Sequence, residues 1–334
     1  MSSLSRATVF RVENLSKHEN ANSLMVGEFE GCPFIVNMND THNGDLRVFV
    51  PFDMICPDQL WVGEFVRGKR VRPIRLRGVF SMAVCLPLPE GYEATEGDDV
   101  TESLGFTKWE PEFQEERDGV ELQSTGNGRE CAAPSGLSLG KYDLENLRKY
   151  HKEFVEDEMV VITEKMEGEN ISIVYWDGGL HVKSRNRWIA DGDNKWWQTV
   201  RLYDWKWLEE NPGLVVIGEK YGNVNNFRYD CVTGEQKIRL FDAYDANKGK
   251  FLNYEDFYEL PFDVNNYVPL IYIGKWQGLD HCKELAKGNT TIKPNQNLME
   301  GIVVQPFTER QTSRFERVKY KLHSETYLIA KGKA

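Results

Sequence analysis

The sequence contains no Cys-x-x-Cys pair among its six cysteines, which argues against a zinc knuckle and predicts plain, unpaired thiols. Its six histidines show no metal-ligand spacing, so none is assigned to catalysis or to a metal. No apolar run approaches the roughly 18 residues of a membrane helix. The start Met1-Ser2-Ser3-Leu4-Ser5-Arg6 lacks the apolar core of a secretory signal. These absences predict an intracellular protein without a membrane partner, and they do not separate cytoplasm from nucleus. Internal repeats are also missing. So is net positive charge: the formal charge is -11 over 334 residues, at first sight wrong for a chain that grips nucleic acid.

That charge is spread unevenly. Residues 90–130 hold thirteen Asp/Glu against three Lys/Arg, which leaves the rest of the chain close to neutral. In that remainder Arg67, Lys69, Arg70, Arg72, Arg75 and Arg77 crowd one segment. Such a cluster can contact several phosphates; the plain alternative is a strand pair with a solvated basic face.

With 40% hydrophobic residues the chain can bury a substantial core, and its length predicts two domains. Residues 1 to about 88 read as strands, with alternation at 46–50 and 72–79 and Gly/Pro punctuation between runs. A small antiparallel barrel fits that spacing. The acidic stretch, then Ser124-Thr125-Gly126-Asn127-Gly128 and Ala132-Ala133-Pro134-Ser135-Gly136, have the composition of a linker. The boundary is therefore placed near 135, with an amino-terminal domain and acidic connector over 1–135 and a second domain over 136–334. A helix is predicted just after it, with Asp143 near the cap and Leu144, Leu147, Tyr150 and Phe154 at helical spacing. Segments 159–164, 171–176, 180–184, 214–219, 238–243 and 301–305 read as strands, and 196–203 as a helix whose tryptophans belong to the core. The fold class expected is α+β, built on antiparallel sheets.

The second domain is organised around Glu164-Lys165-Met166-Glu167-Gly168, at the end of the apolar run Met159-Val160-Val161-Ile162. A lysine that ends a buried strand just before a glycine holds its amine where a nucleotide can pack against it, so Lys165 is the expected nucleophile on phosphorus. Taken alone, Lys-x-x-Gly arises often by chance. Downstream, however, come Lys183-Ser184-Arg185-Asn186-Arg187, Val216-Ile217-Gly218-Glu219 and Leu240-Phe241-Asp242-Ala243-Tyr244, then Met299-Glu300-Gly301-Ile302-Val303-Val304 and Val318-Lys319-Tyr320-Lys321. In order and spacing this series resembles the covalent nucleotidyltransferase superfamily of ATP-dependent DNA and RNA ligases and mRNA capping enzymes.

The resemblance implies a lysyl-N-AMP formed on Lys165. That lysine must be neutral when it attacks, and an unperturbed one, with pKa about 10.4, is neutral only a few times in ten thousand at pH 7. Neighbouring cations are expected to depress it. By the same resemblance Lys319 and Lys321 are catalytic partners on one pocket wall, offsetting charge on the α-phosphate as pyrophosphate leaves. Glu219 accepts hydrogen bonds from the ribose, Phe241 stacks on adenine, Glu164 helps read the base edge, Arg185 contacts sugar or phosphate, and Gly168 completes the nucleotide site. Glu300 holds a divalent metal, Mg²⁺ or Mn²⁺, directly or through water. Each residue taken singly also has a plain reading, as a surface acid, a core aromatic or a solvated lysine.

DNA ligases and capping enzymes carry an OB-fold after the last lysine motif, and thirteen residues after Lys321 leave no room for one. Residues 72–81 (Arg72-Pro73-Ile74-Arg75-Leu76-Arg77-Gly78-Val79-Phe80-Ser81) and 97–111 (from Gly97-Asp98-Asp99 to Trp109-Glu110-Pro111) resemble signature stretches of RNA ligases with an OB-fold before the catalytic domain. This closer resemblance implies an ATP-dependent RNA ligase that joins a 3′-OH to a 5′-phosphate at nicked duplexes or broken RNA ends. It implies ATP as AMP donor, no obligatory protein partner, and Arg72, Arg75 and Arg77 as nucleic-acid contacts of the OB-like domain. A DNA-joining or RNA-capping enzyme, or a catalytically silent nucleic-acid-binding protein, is the alternative. One departure is the pair Met166-Glu167, where the family pattern leads one to expect an apolar residue followed by a small or polar one.

Overall fold

The computed structural model describes residues 6–109, 128–222, 227–294, 297–313 and 316–332. The middle of the acidic connector and the stretch Ser124-Thr125-Gly126-Asn127 lie outside the described residues. The chain forms two compact units: the first takes Met1–Phe113 with Glu145–His151 and Glu325–Ala334, the second Gln114–Leu144 with Lys152–Ser324.

The first unit is built on a six-stranded sheet in the order Thr8–Arg11, Leu46–Pro51, Ala83–Leu86, Cys32–Asn37, Leu24–Phe29, Ser16–Lys17. All its pairings are antiparallel except the one joining Cys32–Asn37 to Ala83–Leu86. Both faces of its central strands are covered. On one face Val9, Val48 and Val50 meet Met54, Val100, Leu104 and Phe106; on the other Phe10, Phe29, Phe34 and Phe49 pack with ring centroids 4.8–6.5 Å apart. The alternation read over 46–50 sends successive side chains to these two layers. The basic run 72–79 is a hairpin, Ile74–Leu76 with Val79–Ser81, turning on Arg77 and Gly78 at φ 48° and 91°. Gly78 suits that left-handed geometry; Arg77 adopts it against its preference.

The second unit has two sheets. One runs Glu130–Cys131, Trp188–Ile189, Gly179–Ser184, Glu169–Trp176, Leu214–Tyr221, Lys237–Asp245, Lys250–Phe251. The other includes, as neighbours, Tyr320–His323, Gly301–Pro306, Met159–Lys165 and Leu270–Lys275. Every pairing named in these sheets is antiparallel. The helix foreseen over 196–203 spans Lys195–Val200, capped by Asn194, whose side-chain carbonyl oxygen accepts the Trp197 N–H at 3.1 Å. Trp196 and Trp197 are buried in the main core with Val161, Ile171, Ile173 and Leu240, as the core reading expects. The predicted helix near 143–154 is shorter than its pattern. It covers Leu147–Tyr150, in the first unit, with Asn146, not Asp143, as its cap. All six cysteines are free thiols. Among the described residues no helix is long and apolar enough to cross a membrane.

Candidate active site

Strand Met159–Lys165 lies in one sheet and Glu169–Trp176 in the other, so the chain crosses between sheets in Met166-Glu167-Gly168. The crossing explains the residue types. Met166 is buried with Tyr221, Tyr229, Cys231 and Val268, and the Glu167 N–H donates to the Tyr229 hydroxyl at 2.6 Å. At Gly168 a Cβ would sit 2.5 Å from the Lys220 carbonyl oxygen and 2.7 Å from Glu219 Cγ. Any side chain there pushes the crossing off its neighbour strand. Lys165 is left at the sheet rim opposite Gly301, whose own Cβ would run into the Leu322 carbonyl.

Acids surround the Lys165 amine. Nζ donates to Glu300 Oε1 at 2.5 Å. Burial alone lowers the lysine's pKa, but Glu300, Glu219 and Glu167 outweigh it and hold the amine above its ordinary value. This corrects the expectation of a lysine depressed by neighbouring cations: the charges nearest to it are carboxylates. Glu300 is 6% exposed. Burial raises its pKa, yet Lys165 and His323 prevail and hold it down at about 2. His323 Nε2 lies 3.5 Å from Glu300 Oε1, and burial pushes that imidazole down to about 4. Glu300 Oε2 is buried without a hydrogen-bond partner among the described residues. Glu219 is pushed up to about 8, by burial first and then by Glu300, Glu167 and Glu169, with Lys165 opposing. Glu164 is fully engaged: the Thr291 N–H and hydroxyl donate to Oε2 at 2.9 and 2.7 Å, and the Thr290 hydroxyl donates to Oε1.

A second cluster holds Lys319. Its Nζ donates to Asp242 Oδ2 at 2.9 Å and to the Phe241 carbonyl at 3.1 Å. Asp242 also accepts from Arg317 at 2.5 and 3.1 Å and from the Tyr142 hydroxyl at 2.6 Å, while Arg317 pairs with Glu309. Burial would raise the Asp242 carboxyl, but Arg317 and Lys319 keep it well below the usual range. Lys319 is pushed down to about 8 by burial, with Asp242 opposing and Arg317 assisting. The Phe241 ring packs against Tyr142, centroids 5.3 Å apart.

The third cluster is centred on Asp143. Its Oδ2 accepts from Arg185 at 2.6 Å and its Oδ1 from Lys321 at 3.1 Å. Lys321 is lowered mainly by burial and further by the charge of Lys165, which brings this lysine into the field of the nucleophile. The arrangement thus joins Lys165, Glu219 and Glu300 in one constellation and reaches Lys321 and Arg185 beside it. Arg72, Arg75 and Arg77 lie in the first unit, all exposed. There Arg75 pairs with Glu325 at 2.8 Å, and the Arg77 carbonyl accepts from Asn20 at 3.0 Å.

Residues 158–321 match the family model described as RNA ligase. Through this segment, just under half of its length, the chain is similar to the RNA ligase family. It carries every residue assigned above to nucleotide chemistry, from Glu164 to Lys321. No match is found among curated proteins. Among solved structures, the RNA ligase of Naegleria gruberi with pyrophosphate is similar at 23% identity, covering 99% of both chains with a TM-score of 0.79. A lysine-to-alanine variant of that ligase with ATP and Mn matches at 23% identity over 96% of this chain and 98% of that one, TM-score 0.77. An aspartate-to-alanine variant without ligand covers 100% of both at 23% identity, TM-score 0.78. At that identity the likeness is one of fold.

Several residues of this candidate site escape the motif series. Asp242 and Arg317 stand inside or beside quoted motifs. The alternation Arg317, Lys319, Lys321 along an extended stretch is a readable sign that all three face one way. Tyr142, Asp143, His323, Thr290 and Thr291 give no such signal, since their partners are distant in sequence.

Proposed function

We propose that the protein is an ATP-dependent RNA ligase that joins a 3′-OH to a 5′-phosphate through a lysyl-N-AMP on Lys165. The observation that carries this is the Lys165 amine at the sheet crossing, 2.5 Å from a buried Glu300 whose second oxygen has no partner among the described residues. The Naegleria ligase structures with ATP and Mn support the same nucleotide and a divalent cation. In the first step the neutral amine attacks the α-phosphorus; an N–P bond forms, the P–O bond to the β-phosphate breaks, and pyrophosphate leaves. In the second, an oxygen of the RNA 5′-phosphate attacks the same phosphorus and returns the amine. In the third, the 3′-OH attacks the 5′-phosphorus and AMP departs.

The chain's own residues divide this work. Burial favours the neutral amine that attack requires, and Glu300 opposes it until its charge is offset. The orphaned Glu300 oxygen fits a divalent cation, and among the described residues no trio of His, Cys, Asp or Glu competes to hold one. A divalent cation held there by Glu300 would supply positive charge beside the α-phosphate. Lys319 and Lys321 offset the remaining phosphate charge. Glu219, protonated near neutral pH, both donates to and accepts from the ribose, and Phe241, backed by Tyr142, offers its ring to adenine. Glu164, already bonded to Thr290 and Thr291, orders that loop beside the base. The sheet of the first unit is assigned an OB-like role, gripping RNA at nicks or breaks through Arg72, Arg75 and Arg77.

Incubation with labelled ATP and Mg²⁺ tests the reading. A labelled protein band that then transfers AMP to 5′-phosphorylated RNA is expected. Labelling by GTP alone points to capping, transfer to DNA alone to a DNA ligase, and no label to a silent nucleic-acid-binding protein.

A further inference from the structure

Asp143 holds the two cations reserved above for the nucleotide's sugar and phosphates. Among the described residues it is the only carboxylate paired with either Arg185 or Lys321. Its two oxygens divide between them, and Oδ1 also accepts the Leu144 N–H at 3.0 Å. The segment that carries it is anchored to the second unit. Leu137 is buried against Val174, Trp188, Val215 and Ile217, the Gly140 carbonyl accepts from Lys183 at 3.4 Å, and the Tyr142 hydroxyl donates to Asp242. The carboxylate is therefore delivered by a fixed backbone.

Its pairs differ in kind from those around Asp242. Asp242 and Lys319 side chains are 4% and 2% exposed, and breaking so buried a pair strands a charge. Asp143 and Arg185 are 34% and 46% exposed, where an ion pair is weak and exchanges readily. A di- or triphosphate brings several negative charges and acceptor oxygens to the same two donors. Resting on the ligase reading, we infer that Asp143 is a positioning residue that stands in for a phosphate. It keeps Arg185 and Lys321 converged while no nucleotide is bound, and it yields them when the polyphosphate arrives.

An internal competitor weakens the ligand it mimics, so its removal has a sign that loss of mere structure does not share. With Asp143→Asn, the KM for ATP in self-adenylylation should fall about three- to tenfold, and inorganic pyrophosphate should inhibit at about three- to tenfold lower concentration. The maximal rate should stay within about twofold. Asp143→Glu, which restores a carboxylate, should return both constants toward wild type. Thermal melts of both variants establish that they are folded. A raised or unchanged KM and inhibition constant in a folded Asp143→Asn protein overturns the inference, because the carboxylate then only supports its neighbours. Wild-type protein that takes no label from ATP overturns the ligase reading itself, and with it the ground for this one.

Discussion

Two lysines of the second unit, the half-buried Lys165 and the buried Lys319, each donate to a carboxylate, and their environments move them in opposite directions. Lys165 is held above the ordinary lysine value by three glutamates, whereas Lys319 is pushed down to about 8. Burial acts downward on both, so the difference lies in what surrounds the pair. Lys165 faces carboxylates with one cation, Lys321, at the edge of its field. Lys319 shares its single aspartate with Arg317, which consumes part of the attraction. A lysine meant to lose its proton on demand is better served by an acid that can be called away, and one meant to stay put by an acid locked between two cations. Glu300, with one oxygen unengaged among the described residues, fits the first description. Asp242, with both oxygens bonded, fits the second.

The sharpest way to break this contrast is at the nucleophile. Lys165→Ala should fold and lose self-adenylylation entirely, and Lys165→Arg should be equally inactive because guanidinium stays protonated. Label from ATP at the wild-type level in either variant would place the nucleophile elsewhere. Glu300→Ala comes next. It removes both the partner of Lys165 and the candidate metal carboxylate, and a drop of about 10²- to 10³-fold in adenylylation is expected, the scale of removing one transition-state electrostatic interaction. A variant with unchanged rate and unchanged Mg²⁺ dependence contradicts the role given to Glu300.

Asp242→Asn probes the other side. It strands Lys319 in the core and leaves Arg317 only Glu309, and it should cost about 3–5 kcal/mol of stability, read from denaturant unfolding. Because the Asp242 carboxyl is held below its usual value of 3.8, its contribution is complete above that pH and is lost as pH falls further. Lys319 works the other way. It carries charge below about pH 8 and loses it as pH rises, so adenylylation should decline on the alkaline side there. In Asp242→Asn the attraction that raises Lys319 is gone, and the decline should move to lower pH. An alkaline limb that stays in place shows that Lys319 does not act through its charge.

Sequence distance decides which of these features can be read without coordinates. The strands ending at Lys165 and Glu219 are plain in the alternation, and Gly168 and Gly301 in their motifs, because backbone crossings leave local marks. The protonation of Lys165 is not, since its main partner sits 135 residues away and contact, not composition, decides the sign of the shift. Asp143 has the look of a helix cap because aspartate favours that position. Arg185 and Lys321, 42 and 178 residues distant, claim its carboxylate instead, and Asn146 caps the helix. The two threonines that bind Glu164 belong to a loop whose sequence carries no periodic signal at all.

The smallest effect is expected where the charges are most exposed, on the hairpin of the first unit. Arg67, Arg70 and Arg75 are already matched to Asp58, Asp53 and Glu325, so the crowd of cations seen in the sequence offers less available charge than its count suggests. Exposure alone, not the lack of a partner, singles out Arg77 at the turn and Arg72 just before the first strand of the hairpin as the positions to probe. Reversing both to glutamate should leave self-adenylylation of the full chain unchanged, since no nucleotide contact is assigned to that hairpin. Sealing of a pre-adenylylated nick should weaken, and the slope of log affinity for RNA against log salt should flatten by roughly one for each phosphate no longer neutralised. The weakening should be uniform across RNA sequences, because phosphate contacts carry no base information. Sealing and salt slope that both match wild type would remove the hairpin from the RNA surface and leave the grip of the first unit to be sought on another face.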